Sequence, residues 1–418
     1  MSTTTYAGGL TRKQVVAWRN AVFAIFMLPG LAFASWAGRL PDARDALDIR
    51  VDQVGYLIFG IAAGSIVGLL LSSHIVARLG ARTTILWGLV ATSIGLALAG
   101  LGATIPSFGV AFAGLVVYGA ASGITDVAMN LSGAGNERVL GRAIMPIFHA
   151  FFSFGTMIGA GIAALASAID VPIALHLGVV AVVVVLAGLV ALPRLQDEHV
   201  GLSQEHEDGH PSGTWRSRLA IWKSPATLLI GLIVLGAAFA EGAANDWIAI
   251  AMVDGHHVDN ATGALVLGVF LTAMTAGRLG GVLLLDRFGR VPVLRATFAL
   301  AAVGLLLIIF VPNAIVATIG AVLWGLGASL GFPIGMSAAA DDPRNAAARV
   351  SAVATIGYAA FLVGPPVIGV LGEQIGILYA LLVVLVLCAL GAFLAGAARE
   401  PQRGAAEPVD TFEEPRPL

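Results

Sequence analysis

Asp126 stands inside a long apolar run, with Ser122 and Asn130 four positions to either side and Tyr118 a turn before Ser122. At about 100° per residue these side chains form one polar stripe on a helix. His149 enters the next apolar run with Ser153 and Thr156 on its face, so an Asp126 to His149 contact is one expectation. A satisfied polar pair that only locks two helices is the alternative. Glu241 lies near the middle of a later run, followed by Asn245 one turn on and by Asp246 and Trp247. The chemistry open to such acids is protonation, because a carboxylate among apolar residues can gain and lose a proton as its surroundings change. Arg39, one turn after Trp36, is placed to meet an anionic group or Asp246, or simply to snorkel toward water. Trp36, Tyr118, Trp247, Trp324 and Tyr358 have faces that stack on a sugar or flat ring, although anchoring and packing explain such residues equally well. Arg278 reads as structural. No Ser/His, paired-Asp or HExxH arrangement lies in any run and no phosphate-loop motif is present, so no catalytic residue, enzyme activity or ATP-driven step is expected.

The elements that position these residues follow from composition. Of 418 residues 58% are hydrophobic and 11% charged, with a mean hydropathy of +0.91. A soluble domain carries about a quarter charged residues, so this chain cannot coat itself for water. Apolar runs of about 20 residues match the hydrocarbon core of a bilayer, and twelve are expected, at roughly 18–38, 54–76, 83–103, 107–131, 144–168, 172–193, 225–251, 261–284, 292–311, 314–338, 350–371 and 376–397. Lipid leaves backbone groups unsatisfied unless they bond within the segment, so each run is a helix and the fold class is an all-α membrane protein. The loops on one side hold Arg78, Arg82, Arg138, Arg142, Arg194, Arg216, Arg218, Lys223, Arg287, Arg290, Arg344 and Arg349, while the other side holds only Arg39, Arg44 and Arg50. This bias predicts both termini in the cytoplasm and an even number of crossings. The expected organisation is a tail at 1–17, a six-helix bundle at 18–193, a cytoplasmic linker at 194–223, a second bundle at 224–398 and a tail at 399–418. His199, His206 and His210 in the linker match no dependable metal spacing, and no metal is expected. The formal charge of -2 leaves no electrostatic footprint for nucleic acid. Cys388 is the one cysteine and permits no disulfide.

An internal repeat is the strongest organisational signal. Ala77-Arg78-Leu79-Gly80-Ala81-Arg82 after the second run matches Asp286-Arg287-Phe288-Gly289-Arg290-Val291 after the eighth at an offset of 209 residues. The same offset maps Phe152-Ser153-Phe154-Gly155 onto Phe361-Leu362-Val363-Gly364, and one of 206 aligns Tyr118-Gly119 with Trp324-Gly325. Repeats of this kind build transport folds with a site at the repeat interface. The D-R-x-G-R pattern of Asp286, Arg287, Gly289 and Arg290 resembles the loop signature of the major facilitator superfamily; the first copy keeps Arg78, Gly80 and Arg82 but has Ala77 in place of the acid. The stretches Phe33-Ala34-Ser35-Trp36-Ala37-Gly38-Arg39, Asp126-Val127-Ala128-Met129-Asn130 and Glu241-Gly242-Ala243-Ala244-Asn245-Asp246-Trp247 are similar to those of a little-characterised bacterial branch of that superfamily.

That resemblance implies two pseudo-symmetric six-helix bundles, alternating access, and a central cavity lined by the first, fourth, seventh and tenth spans, into which Asp126 and Glu241 would face. The resemblance implies transport but not a substrate; the buried acids add proton coupling, and the expected function is a secondary carrier of a small polar or amphipathic solute in the bacterial inner membrane, without a cofactor and acting as a monomer. The missing proline in Gly155-Thr156-Met157-Ile158-Gly159 leans toward uptake. A drug or metabolite efflux antiporter and a membrane sensor that has lost transport are the alternatives. Pro29, Pro333, Pro365 and Pro366 would supply kinks. Glu137 and Arg142 after the fourth span, and Asp341 and Arg349 after the tenth, are expected to latch when the carrier opens outward.

Overall fold

The structure is a computed structural model and describes residues 6, 9–142, 144–197, 221–342 and 346–400. The first half comprises α1 (Arg12–Gly38), α2 (Leu40–Leu47), α3 (Val51–Thr104), α4 (Phe108–Leu140), α5 (Met145–Ala168) and α6 (Ile173–Ala191). The second comprises α7 (Pro225–Ile250), α8 (Asn260–Phe288), α9 (Arg290–Phe310), α10 (Ala314–Ala328), α11 (Gly331–Ala339), α12 (Ala346–Ile375), α13 (Ile377–Ala380) and α14 (Leu382–Leu394). Among the described residues, 11 helical stretches are long and apolar enough to cross a membrane. One of them, α3, has 54 residues and a non-helical Gly80 (φ 72°, ψ 161°) inside it. At 1.5 Å per residue it runs about 81 Å, more than twice a bilayer core, and it turns at that glycine, so it makes two spans and brings the count to twelve.

Local chemistry explains where elements start and stop. The first helix begins earlier than the expected 18, at Arg12, because Thr11 and Gln14 form a capping box that satisfies the first free amides. The tenth span is two helices, broken at Ser329 and Leu330 so that Pro333 sits in the first turn of α11, where its missing N–H leaves no bond unmade. Pro29 and the Pro365-Pro366 pair lie within α1 and α12. The proposed linker histidines fall at 198–220, outside the described residues.

Side chains are distributed for lipid rather than water. Leu283, Ile315 and Phe393 are largely exposed, whereas Trp18, Trp36, Trp247 and Trp324 are fully buried. Small residues let the helices approach closely, as expected where the surroundings are as apolar as the core. A Cβ on Gly119 of α4 would collide with the Ile61 carbonyl of α3, and one on Gly325 of α10 with the Phe270 carbonyl of α8. Ile61 and Phe270 are themselves 209 positions apart, so the repeat extends to the packing partners.

The two halves meet along two seams, the first part of α3 against α12 and α5 against α8. We call the end where α1 starts and α14 finishes the terminal end, and the opposite one the far end. Polar links cross between halves at the far end. Arg44 of α2 donates to Asp254 at 2.5 Å, Asn260 donates to Asp45 at 3.0 Å, and the Val51 amide donates to Glu373 at 3.2 Å. Burial opposes the Arg44 charge, but its hydrogen bonds with Asp254 and Asp45 more than offset this and hold the guanidinium above its ordinary value. Backbones also close together there: a Cβ on Gly55 would fall 2.7 Å from the Pro365 carbonyl oxygen.

At the terminal end Glu137, Arg290 and Arg349 bond within their own halves. Glu137 accepts from the Ile144 and Met145 amides, 2.7 Å each, and so caps α5. Arg290 donates to Asp341 at 2.5 Å and to Ser337 at 2.9 Å, while Arg349 lies 3.9 Å from Asp342. Arg78, Arg82, Arg142, Asp286 and Arg287 are exposed. The far end is thus tied shut across the halves in this conformation.

Candidate binding site between the two halves

Between α3, α7 and α12, with Phe33 of α1 at one side, lies a cavity of about 780 Å³. Its walls are mainly apolar: Ile58, Ile61 and Leu69 from α3 face Phe361 and Leu362 from α12. The polar groups are few and grouped. Asn245 and Asp246 project from α7, Thr355 and Tyr358 from α12, and Ser65 from α3. Both halves therefore contribute, and the far-end links close it on one side.

Among the described residues Asp246 makes no hydrogen bond or ion pair, and the buried Oδ1 of Asn245 has no partner. Burying a polar group without a partner is costly, so the Asp246 carboxyl at the cavity wall is a group that a ligand or water can satisfy. The sequence had Asp246 at the outer end of its span beside Trp247, and in the structure the two diverge: Asp246 lines the cavity while Trp247 is fully buried.

Glu241 has a different environment from the lone acid expected there. It accepts a hydrogen bond from Arg278 of α8 at 2.7 Å, and the pair is part-buried. Arg278, read as structural from sequence, is thus the countercharge of Glu241. The pairing could have been found from the offset of the two runs only by knowing which faces of α7 and α8 meet. His149, exposed on α5 in the first half, lies within electrostatic reach of Arg278, so the pair points across the gap between halves.

Asp126 is exposed on α4 and accepts from Asn130 at 3.2 Å, as the i, i+4 stripe predicts. It is within electrostatic reach of Tyr358 in the opposite half. The Asp126 to His149 contact is not formed. His149 instead packs edge-on against Phe26, ring centroids 5.2 Å apart, because α5 lies against α1 rather than against α4.

Arg39 corrects another expectation. It is buried, paired with Asp42 at 3.0 Å and donating to the Val171 carbonyl at 2.8 Å, so it ties α1 to the α5–α6 connection and forms no ion pair with Asp246. Burial pulls its guanidinium below the ordinary value, with Asp42 and Asp170 opposing. Of the aromatic candidates, Trp36, Tyr118, Trp247 and Trp324 are packed into the bundle, and Trp324 makes a T-shaped contact with Phe270. Tyr358, 48% exposed, is the one of the five that lines the cavity. Phe33 and Phe361, which the sequence did not single out as aromatic wall residues, join it there.

Comparison with known proteins agrees with this architecture. Residues 20–255 and 232–418 each match the model of the Major Facilitator Superfamily. An uncharacterised MFS-type transporter of Yersinia pestis is 31% identical over 355 residues, 83% of this chain and 87% of that protein. An uncharacterised transporter of Sinorhizobium fredii is 29% identical over 385 residues, 92% and 98% of the two chains. Among solved structures, a mutant of the nucleoside transporter NupG superposes with a TM-score of 0.73 at 15% identity, covering 91% of this chain and 98% of that one. The fucose transporter FucP in an outward conformation gives 0.60 at 17% identity, covering 93% and 100%.

Proposed function

The chain belongs to the Major Facilitator Superfamily, a family of transporters rather than enzymes, and on that premise we propose that it is a proton-coupled carrier of a small amphipathic solute. It is a multi-pass membrane protein. The observation that carries the reading is the cavity shared by both halves, apolar apart from a cluster holding the unpartnered Asp246 and Asn245, and tied shut at the far end. Arginine-rich loops gather at the terminal end, which we assign to the cytoplasm of a bacterial inner membrane by the positive-inside bias. The conformation is then inward-open. Rocking of the halves about the cavity would break Arg44–Asp254 and Val51–Glu373, and would bring the Glu137 and Arg142 loop against the Asp341 and Arg349 loop.

Asp126 is the proposed proton carrier. It is exposed on the inner face of the first half, has a neutral partner in Asn130, and sits within reach of Tyr358 across the gap. Glu241, neutralised by Arg278, is the proposed orienting pair rather than a second proton site. The chain is proposed to act as a monomer, with the proton gradient in place of any cofactor. The test is solute-dependent proton movement in proteoliposomes across a solute library, comparing wild type with Asp126→Asn. Flux with proton movement that Asp126→Asn abolishes supports the reading; flux without proton movement removes the coupling; and no flux with any solute removes transport.

A further inference from the structure

The charge balance around the cavity goes beyond the word amphipathic. Three acids stand on the helices around the space between the halves: Asp246 lines the cavity, Asp126 is within electrostatic reach of Tyr358, and Glu241 is already occupied by Arg278 at 2.7 Å. His149 is the remaining basic group and lies toward Arg278, not toward Asp246. Asp246, which lines the cavity, therefore has no countercharge among the described residues. A carboxylate that lines an apolar cavity with no countercharge is complemented by a ligand group rich in N–H and positive in charge. A ligand anion supplies Asp246 with neither N–H donors nor positive charge.

The rest of the cavity suits the body of such a ligand. Phe33 and Phe361 stand at its sides with Tyr358, and aromatic faces attract cations as well as apolar surface. Ile58 and Ile61 close the wall opposite. We infer that the solute is a lipophilic amine, its ammonium group held by Asp246 and its apolar part seated among Phe33, Tyr358 and Phe361. The inference rests on the transport reading for the cavity's role, but the recognition itself is a binding property and is measured apart from flux.

The experiment uses three probes of matched shape, 4-phenylbutylamine, 4-phenylbutanol and 4-phenylbutyrate, titrated calorimetrically at neutral pH against the full chain in lipid nanodiscs. The amine binds at least about tenfold tighter than the alcohol, the gain of one charge-assisted hydrogen bond, and the carboxylate binds weakest. Asp246→Asn brings the amine to the level of the alcohol, while Asp246→Glu keeps the amine preference; gel filtration of both variants reports whether they remain folded. Equal or tighter binding of the carboxylate, no measurable amine binding, or an amine preference that survives in folded Asp246→Asn overturns the inference. Uptake into proteoliposomes separates the two claims. Amine binding without uptake of any solute leaves recognition standing and removes transport, whereas uptake of other solutes with no amine binding does the reverse.

Discussion

Arg278 of α8 donates to Glu241 of α7 at 2.7 Å, which joins two helices of one half by a part-buried ion pair facing the other half. Removing one partner strands a charge, so Glu241→Gln and Arg278→Leu each lower stability by about 1.5 to 3 kcal/mol, as for a charged hydrogen bond. The double variant is less damaged than the two single losses added together. Thermal unfolding of all four proteins in detergent checks this, and additive losses would show that the pair does not act as a unit.

Gly80 and Gly289 occupy equivalent turns with φ of +72° and +75° and extended ψ. That region is essentially confined to glycine, so alanine at either position costs about 1 to 3 kcal/mol. Gly161, inside α5 with open space where a Cβ would stand, gives the opposite sign: Gly161→Ala is neutral or stabilises by up to about 1 kcal/mol. Melting temperatures of the three variants report the contrast.

Asp259 caps α8, accepting from the Thr262 amide at 2.7 Å, and this backbone bond holds its carboxyl below the usual range. The folded value is depressed, so the stabilisation is fully present above the unfolded value of about 3.9 and fades as pH falls through the folded one. Asp259→Asn keeps a capping acceptor and loses that pH dependence; Asp259→Ala costs about 1 kcal/mol at neutral pH. Unfolding measured from neutral to acid pH distinguishes the two.

Packed and cavity aromatics separate by phenotype. Trp247→Ala and Trp324→Ala empty fully buried sites and cost about 3 to 5 kcal/mol, reducing folded yield. Tyr358→Ala keeps the fold and weakens solute binding. Size-exclusion profiles beside calorimetric titration of the bound solute check both halves of this statement.

The fold was legible because apolar length and the 209-residue repeat are one-dimensional signals. Each run reports its own crossing, and Gly80 and Gly289 report the same turn twice. The polar stripe from Asp126 to Asn130 was legible for the same reason, since it lies on one helix. What sequence missed were relations between helices. Arg39 bonds Val171, Glu241 bonds Arg278 and His149 meets Phe26, each pairing set by which faces pack. Neighbours on one helix also parted, Asp246 into the cavity and Trp247 into the core, because about 100° separates them.

The account stands on a cavity that faces one side at a time, with Arg44–Asp254 among the ties that close the far end. Cys388 is buried, and its replacement by serine gives a background for a single cysteine at Thr355 in the cavity. The measurement is labelling of that cysteine by a membrane-impermeant maleimide, applied from either face of oriented vesicles. The account predicts labelling from the face of the termini in the resting protein, and a shift toward the far face in Arg44→Ala. Labelling from the far face with the tie intact, or equal labelling from both faces in every variant, would contradict alternating access.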